Sequence, residues 1–98
     1  MSSLVYHIAE SETWELQCRG EEYRNPSLET EGFIHCSLAE QVQETLEKFF
    51  SIPDGRDDLV LLEIDVEKLL PELRYESGYP HIYGPLNLDA VVAVKPIP

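Results

Sequence analysis

The chain has 98 residues, 43% of them hydrophobic and 27% charged, a composition typical of one small globular domain. Nineteen acidic residues against seven basic ones give a formal net charge of −12, which excludes nucleic acid and the membrane surface as partners because phosphate backbones and anionic lipid repel such a chain. The sequence shows no signal-peptide pattern, no bilayer-length apolar run and only two cysteines, which predicts a cytoplasmic protein.

The chain opens with a predicted strand and a short predicted helix. Residues 4–8 are rich in β-branched and aromatic side chains and predict the first strand. Ser11 stands at an N-cap position before an acidic residue, which predicts a helix over about residues 12–19. Gly20 is expected to end this helix, and Trp14 is expected to dock it on the core.

A polar segment separates this helix from the main predicted helix. Residues 21–31 are polar and turn-forming, which predicts a solvated loop long enough to be functional. Residues 33–36 predict a second strand. Ser37 and Glu40 have the spacing of a capping box, which predicts the main helix over about 38–50. Its apolar positions recur at helical spacing: Val42, Leu46, Phe49 and Phe50.

The second half of the chain predicts further strands. The apolar run 59–64 predicts a strand covered on both faces, and Asp65 is expected to cap a helical turn after it. Residues 73–76 predict a short strand, 81–85 an irregular or edge strand because prolines flank it, and 90–94 a buried closing strand. The whole predicts a single α+β domain over residues 1–98, with a mixed, split β-sheet.

The three histidines are the most informative polar residues. His7, His35 and His81 each stand among apolar neighbours, where an imidazole needs hydrogen-bond partners or its pKa falls. Each could be a satisfied core residue, or all three could converge on one ligand pocket. A metal site with Glu63 or Glu76 stays open as a minor alternative. We predict none, because no two histidines have the local spacing of metal ligands.

Further candidate ligand-binding residues accompany the histidines. Strand alternation places His35 on the face opposite Cys36, which argues against a thiol nucleophile there. Ser37 is expected at a helix N-terminus that could hold a hydroxyl or an anion. Tyr23 in the polar loop and Tyr83 after His81 are candidates for stacking on a planar ligand. Ser27, in the same polar loop, is a further candidate.

The motifs as a set resemble one protein family. Tyr-His-Ile at residues 6–8, Gly-Phe-Ile-His-Cys-Ser at 32–37 and Pro-His-Ile-Tyr-Gly-Pro-Leu at 80–86 are similar to the family of domain of unknown function 952, together with Trp14 and Gln41. Members of this family resemble a reduced ADP-ribosyltransferase fold. That resemblance implies a split α+β sheet that grips NAD, with NAD as a possible cofactor.

The resemblance also implies roles for individual residues. His7 would hold a ribose hydroxyl and His35 would lie beside the ligand. Glu76 would offset developing charge, although His81 competes with it for this position. His7, His35 and Glu76 are therefore the candidate catalytic residues, for chemistry that passes through a cation-like ribosyl centre.

Three hypotheses of function follow. The first is a small-molecule binding protein with a histidine-lined cleft for a nucleotide-like ligand, NAD being one candidate. The second is an NAD-dependent enzyme of the ADP-ribosyl- or phosphotransferase type. The third is a structural or protein-interaction domain whose histidines are core residues. The first two require the histidines to share a cleft, whereas the third requires each to be sealed in the core.

Overall fold

A computed structural model describes residues 3–49 and 58–97. It confirms the α+β class. We expected a mixed sheet, but the described strands pair only in antiparallel ladders. The helices and strands follow this order along the chain: β1 Leu4–Glu10, α1 Ser11–Gln17, β2 Glu22–Tyr23, α2 Ser27–Thr30, β3 Ile34–His35, α3 Val42–Phe49, β4 Leu59–Asp65, β5 Glu72–Glu76, β6 Tyr79–Tyr83, β7 Leu86–Asn87 and β8 Val91–Pro96.

The first sheet has the strand order β1-β4-β8, and its central strand carries the densest part of the core. In β4, Leu62 and Ile64 on one face are fully buried, and Leu59 and Leu61 on the other face are buried as well, so the prediction of a strand covered on both faces is confirmed. Asp65 then caps a 3₁₀ turn, Val66–Lys68, by accepting a hydrogen bond from the Glu67 amide at 3.0 Å.

The closing strand β8 differs from our expectation of a buried strand. It begins at Val91 and lies at the edge of the first sheet. Val92 and Val94 are 46% and 44% exposed, because only one face and one edge of this strand are covered by other elements. An unbroken apolar run does not by itself distinguish a central strand from an edge strand.

The second sheet has the order β3-β6-β5, which corrects the expectation of an irregular or edge strand around His81. Here β6 is central, although Pro80 within it has no amide hydrogen to donate. Pro80 instead accepts a hydrogen bond through its carbonyl oxygen, from the Cys36 amide at 3.0 Å. Ser77 and Gly78 join β5 to β6 in a tight turn with φ of 53° and 84°, the left-handed pair that two-residue hairpins favour.

The expected loop over 21–31 is wrong in part, because two regular elements lie within it. The strand β2 pairs with β7, and the single-turn helix α2 follows it. Tyr23 in β2 is fully buried. Two-residue strands depend on a partner distant in sequence, and local polarity hides them.

The two main helices are shorter than predicted, and the N-caps predicted for them, Ser11 and Ser37, are wrong. The N-cap of α1 is Glu10, because β1 continues as far as this residue. The helix ends at Gln17. Trp14 is half-buried and packs on the core as expected. Among the described residues, no helix has the length and apolar character needed to cross a bilayer.

The main helix begins with a 3₁₀ turn, Ala39–Gln41, before α3. Its cap is Leu38, whose amide donates to Gln41 Oε1 at 2.9 Å. Ser37 is not available as a cap because its backbone pairs with Tyr6. The predicted apolar stripe is confirmed at Val42 and Leu46, which are buried. Phe50 and the Phe49 side chain lie outside the described part of the chain.

Candidate functional site

A single pocket brings all three histidines together. Its volume is about 500 Å³, within the range of small-molecule sites. The walls come from β1, from the segment around β3, from α3 and from the β5–β6 hairpin. Of the sequence candidates, five line it: His7, His35, Ser37, Glu76 and His81. The histidines therefore share a cleft, as the first two hypotheses require.

His7 lies at the closed end of this pocket, in a complete hydrogen-bond network. Its Nδ1 is 2.7 Å from the His35 carbonyl oxygen, which only accepts, so Nδ1 carries the proton. Its Nε2 therefore accepts, and the Tyr23 hydroxyl donates to it at 3.0 Å. The Asn25 side-chain amide in turn donates to the Tyr23 oxygen at 3.1 Å. Both ring nitrogens of His7 thus have protein partners.

Burial decides the charge of His7. The ring is 4% exposed, and loss of hydration lowers its pKa from 6.5 to about 4. The imidazole is therefore neutral near pH 7. In this structure, His7 supports β3 through the His35 carbonyl instead of offering a free nitrogen to a ribose hydroxyl, the role that the resemblance implied.

His81, whose side chain is 14% exposed, lines the pocket beside the exposed ring of His35, at what we call the open side, and it is oriented by a carboxylate. Its Nδ1 donates to Glu76 Oε1 at 3.0 Å, which leaves Nε2 as the ring nitrogen that can meet a ligand. The Tyr83 hydroxyl donates to the same carboxylate. Hydrogen bonds from Tyr83 and His81 lower the pKa of the Glu76 carboxyl, so Glu76 is ionised near pH 7.

His35 forms a second histidine–carboxylate pair beside the first. Its Nε2 donates to Glu31 Oε2 at 2.7 Å, which leaves Nδ1 as its remaining ring nitrogen. His35 lies directly opposite His81 in the β3–β6 ladder, and their ring centroids are 5.4 Å apart. Phe33 stacks on His81 at 4.2 Å and meets the edge of His35 at 4.8 Å. The two open histidines are therefore held by one aromatic side chain and two carboxylates.

Three of the sequence candidates, Tyr23, Ser27 and Tyr83, do not line the pocket. Tyr23 is buried behind His7, so the expectation that its ring stacks on a ligand is wrong. Ser27 donates from Oγ to the Phe33 carbonyl at 2.7 Å and supports the turn before β3. Tyr83 lies at the rim, where it bonds Glu76 and packs beneath the guanidinium of Arg74 at 4.7 Å. Ser37 lines the pocket, with its Oγ bonded to Thr45 Oγ1 at 2.9 Å.

Among the pocket-wall residues that sequence reasoning missed are Tyr6, Asn25, Glu31 and Tyr79. Of these, Glu31 carried a readable signal, because it precedes His35 by four residues and has the opposite charge to an imidazolium. The others reach the pocket through strand register and chain turns that local patterns do not show. Burial raises the pKa of the Cys36 thiol, so this cysteine is a poor nucleophile.

The residues present fit one part of NAD and not the other. Histidine nitrogens, hydroxyls and the rings of Tyr6 and Tyr79 suit a ribose and a planar ring. A pyrophosphate needs cationic or amide donors, and no lysine or arginine of the described chain lines the pocket. Within that same part of the chain, no cluster of three or more potential ligands is placed to hold a metal ion.

The fold and the pocket define a small α+β protein with a histidine-lined cleft between two antiparallel sheets. Residues 8–94 match the family model described as Protein of unknown function (DUF952). This match covers most of the chain, and the protein belongs to that family. The resemblance to ADP-ribosyltransferases stays a prediction.

Solved structures support the fold. Protein CC0527 from Caulobacter crescentus is 33% identical, with a TM-score of 0.79 over 94% of this chain and 83% of that one. A double mutant of the same protein is 30% identical, with a TM-score of 0.76 over the same shares. No curated protein matches this chain.

Proposed function

We propose that this protein binds a small nucleotide-like molecule through its ribosyl group and planar ring. The ligand would occupy the histidine-lined pocket, with its hydroxyl groups at His35 and His81. The observation that carries the proposal is the arrangement of these two histidines. They face one cavity from paired strands, and each has one ring nitrogen fixed by a carboxylate.

This arrangement suits hydroxyl recognition for a physical reason. A histidine whose one nitrogen donates to a carboxylate is held in a single orientation, so little rotamer freedom remains to be lost on binding. His81 presents Nε2 and His35 presents Nδ1, so two separated nitrogens can meet two hydroxyls of one ribose. Aromatic wall residues, Tyr6 and Tyr79 among them, supply flat surfaces for a base.

A cytoplasmic location is part of the proposal. Cys18 and Cys36 are both free thiols, which suits a reducing compartment. The acidic composition also leaves the protein with little attraction to nucleic acid.

Isothermal titration calorimetry with nucleosides, ADP-ribose and NAD tests the proposal. We expect saturable heat for at least one ribosyl compound, and at least about tenfold weaker binding after His81→Ala or His35→Ala, the loss of one directed hydrogen bond. Tyr75→Ala is the matched control, because Tyr75 is 57% exposed on β5 outside the pocket. Wild-type protein that binds none of these compounds at millimolar concentration would refute the proposal.

A second candidate function is an enzyme that releases the base from the bound riboside. The observation that favours it is the Glu76 carboxylate on His81, the arrangement of an oriented general base. His81 would take a proton from a water molecule that attacks the anomeric carbon as the glycosidic C–N bond breaks, and the released base would then take up the proton that His81 gained. The test is the appearance of free base by NMR, and Glu76→Gln should slow it at least about tenfold while Glu67→Gln leaves it unchanged.

A further inference from the structure

The charges around the pocket disagree with a phosphorylated ligand. Two carboxylates, Glu31 and Glu76, line it, and the described lining contains no lysine or arginine. We infer that the pocket takes an uncharged riboside, a nucleoside, in preference to the corresponding phosphate. This inference rests on the proposed function and names the substrate class of the same site.

The negative charge at the rim is fixed by its neighbours. Glu76 accepts from both His81 and Tyr83, which favours the ionised carboxylate. Glu31 lies 2.7 Å from His35 Nε2, in the histidine–carboxylate pair beside that of His81 and Glu76. A phosphate that entered between them would meet repulsion from two carboxylates at short range and would also lose its own hydration.

The histidines do not supply a compensating positive charge. A proton gained by His35 or His81 would go to the ring nitrogen that does not bond the carboxylate, and the resulting imidazolium would be paired with that carboxylate, so neither pair would carry a net positive charge. His7 is held neutral by burial and has protein partners on both nitrogens. None of the three is therefore a free cationic donor for a phosphate.

The guanidinium of Arg74, which pairs with His81 in the β5–β6 ladder, is also occupied. Arg74 on β5 donates to Glu72 through Nε at 2.8 Å and through an Nη at 3.0 Å. Its guanidinium carbon stands over the Tyr83 ring. A ligand phosphate would compete with Glu72 for the two N–H donors of this bidentate pair, which is the stronger form of such a contact. Nucleosides, by contrast, need only the hydroxyl and ring contacts that the pocket offers.

Calorimetry on matched pairs tests this inference: adenosine with AMP, guanosine with GMP, and uridine with UMP, at low ionic strength. In any pair that binds, we expect the nucleoside to bind at least about fivefold more tightly than its monophosphate. This factor corresponds to the repulsion between two unit charges about 4 Å apart in water. Raising the salt concentration should reduce the difference, because the repulsion is screened.

Charge-neutralising variants identify the cause. Glu31→Gln and Glu76→Gln should each reduce the difference in affinity between a nucleoside and its monophosphate. The double variant should reduce this difference further. Glu29→Gln is the matched control, because Glu29 lies on α2 only two residues from Glu31 and does not line the pocket. This control should leave the difference as in the wild type.

The outcomes separate this inference from the function on which it rests. If a nucleotide binds as tightly as its nucleoside, or more tightly, the inferred preference for an uncharged ligand is overturned. The proposal that the pocket binds a riboside would still stand. Absence of binding for all six compounds overturns both. A difference that persists in the double variant overturns the assignment of its cause to Glu31 and Glu76.

Discussion

The two ends of the pocket use the same side chain in opposite ways. At the closed end, His7 is buried, neutral and bonded on both nitrogens to the protein. At the open end, His35 and His81 each give one nitrogen to a carboxylate, and no described residue bonds to the other nitrogen. The closed end therefore holds the fold together, and the open end is where binding is expected.

This contrast shows that a histidine does not necessarily bind a ligand because it lines a pocket. His7 lines the cavity as His81 does, yet its hydrogen-bond capacity is already used. What distinguishes the two is the number of ring nitrogens that the protein leaves unoccupied. The first three predictions test the closed end, where the effects on stability are largest, and the fourth tests the open end.

The largest effect is expected from His7→Ala. This substitution opens a cavity and leaves the Tyr23 hydroxyl and the His35 carbonyl without their buried partner, which should lower the free energy of unfolding by about 4 kcal/mol. His35→Ala, at a ring that is 55% exposed, should cost less than about 1 kcal/mol. Urea denaturation measures both. Equal losses for the two variants would contradict the distinction between closed and open ends.

The second effect is a loss of stability in acid. In the unfolded chain His7 takes up a proton as the pH falls below about 6.5, but in the folded protein it does so only near 4. Between these values the unfolded state binds more protons, so stability present above pH 6.5 is lost as the pH falls towards 4, by about 3 kcal/mol from this group.

Two measurements check this pH dependence. Denaturation at pH 7 and at pH 5 should show the loss of stability. The ring C–H signals of His7, followed by NMR against pH, should titrate near 4. A His7 ring that titrates near 6.5 would show that the closed end is open to water.

A third effect isolates one bond of the closed network. Tyr23→Phe keeps the buried ring and removes only the hydroxyl that donates to His7 Nε2, so we expect a loss of about 1–2 kcal/mol in denaturation. Tyr79→Phe is the control, because Tyr79 is only half-buried, and this substitution should lower the free energy of unfolding by less. A stability equal to wild type in Tyr23→Phe would mean that Asn25, at 3.4 Å from His7 Nε2, replaces the lost donor fully.

The smallest effect is expected at the open end. Tyr83→Phe removes one of the two donors to Glu76, which should raise the pKa of that carboxyl while unfolding changes by less than about 0.5 kcal/mol. NMR of the side-chain carboxyl carbon follows this pKa. An unchanged pKa would mean that the Tyr83 hydroxyl does not bond to Glu76 in solution.

The sequence predicted the parts of the fold that local patterns determine. The apolar run of β4 and the helical stripe of α3 depend on periodicity within one segment, and both are confirmed. The central position of β6 and the presence of β2 depend on pairing with strands distant in the chain. Pro80 made β6 resemble an edge strand, and the polar sequence around β2 resembled a loop. Ser37 was misread as a cap because its pairing with Tyr6 is not visible in the capping-box spacing.

The candidate site divides in the same way. Apolar neighbours around each histidine indicated rings removed from bulk water, which is correct for His7 and wrong for His35, whose side chain is 55% exposed. The structure gathers all three at one cavity. Which nitrogen remains available depends on Tyr23, Glu31 and Glu76, and these partners are set by register and not by composition. The sequence therefore indicated the residues of the pocket more closely than their roles.

Histidine-ring NMR during titration with a nucleoside that binds tests the central claim most directly, because the chain has only three histidines. We predict that the ring signals of His35 and His81 shift with saturation while those of His7 stay in place. Shifts centred on His7, with His35 and His81 unchanged, would contradict the account.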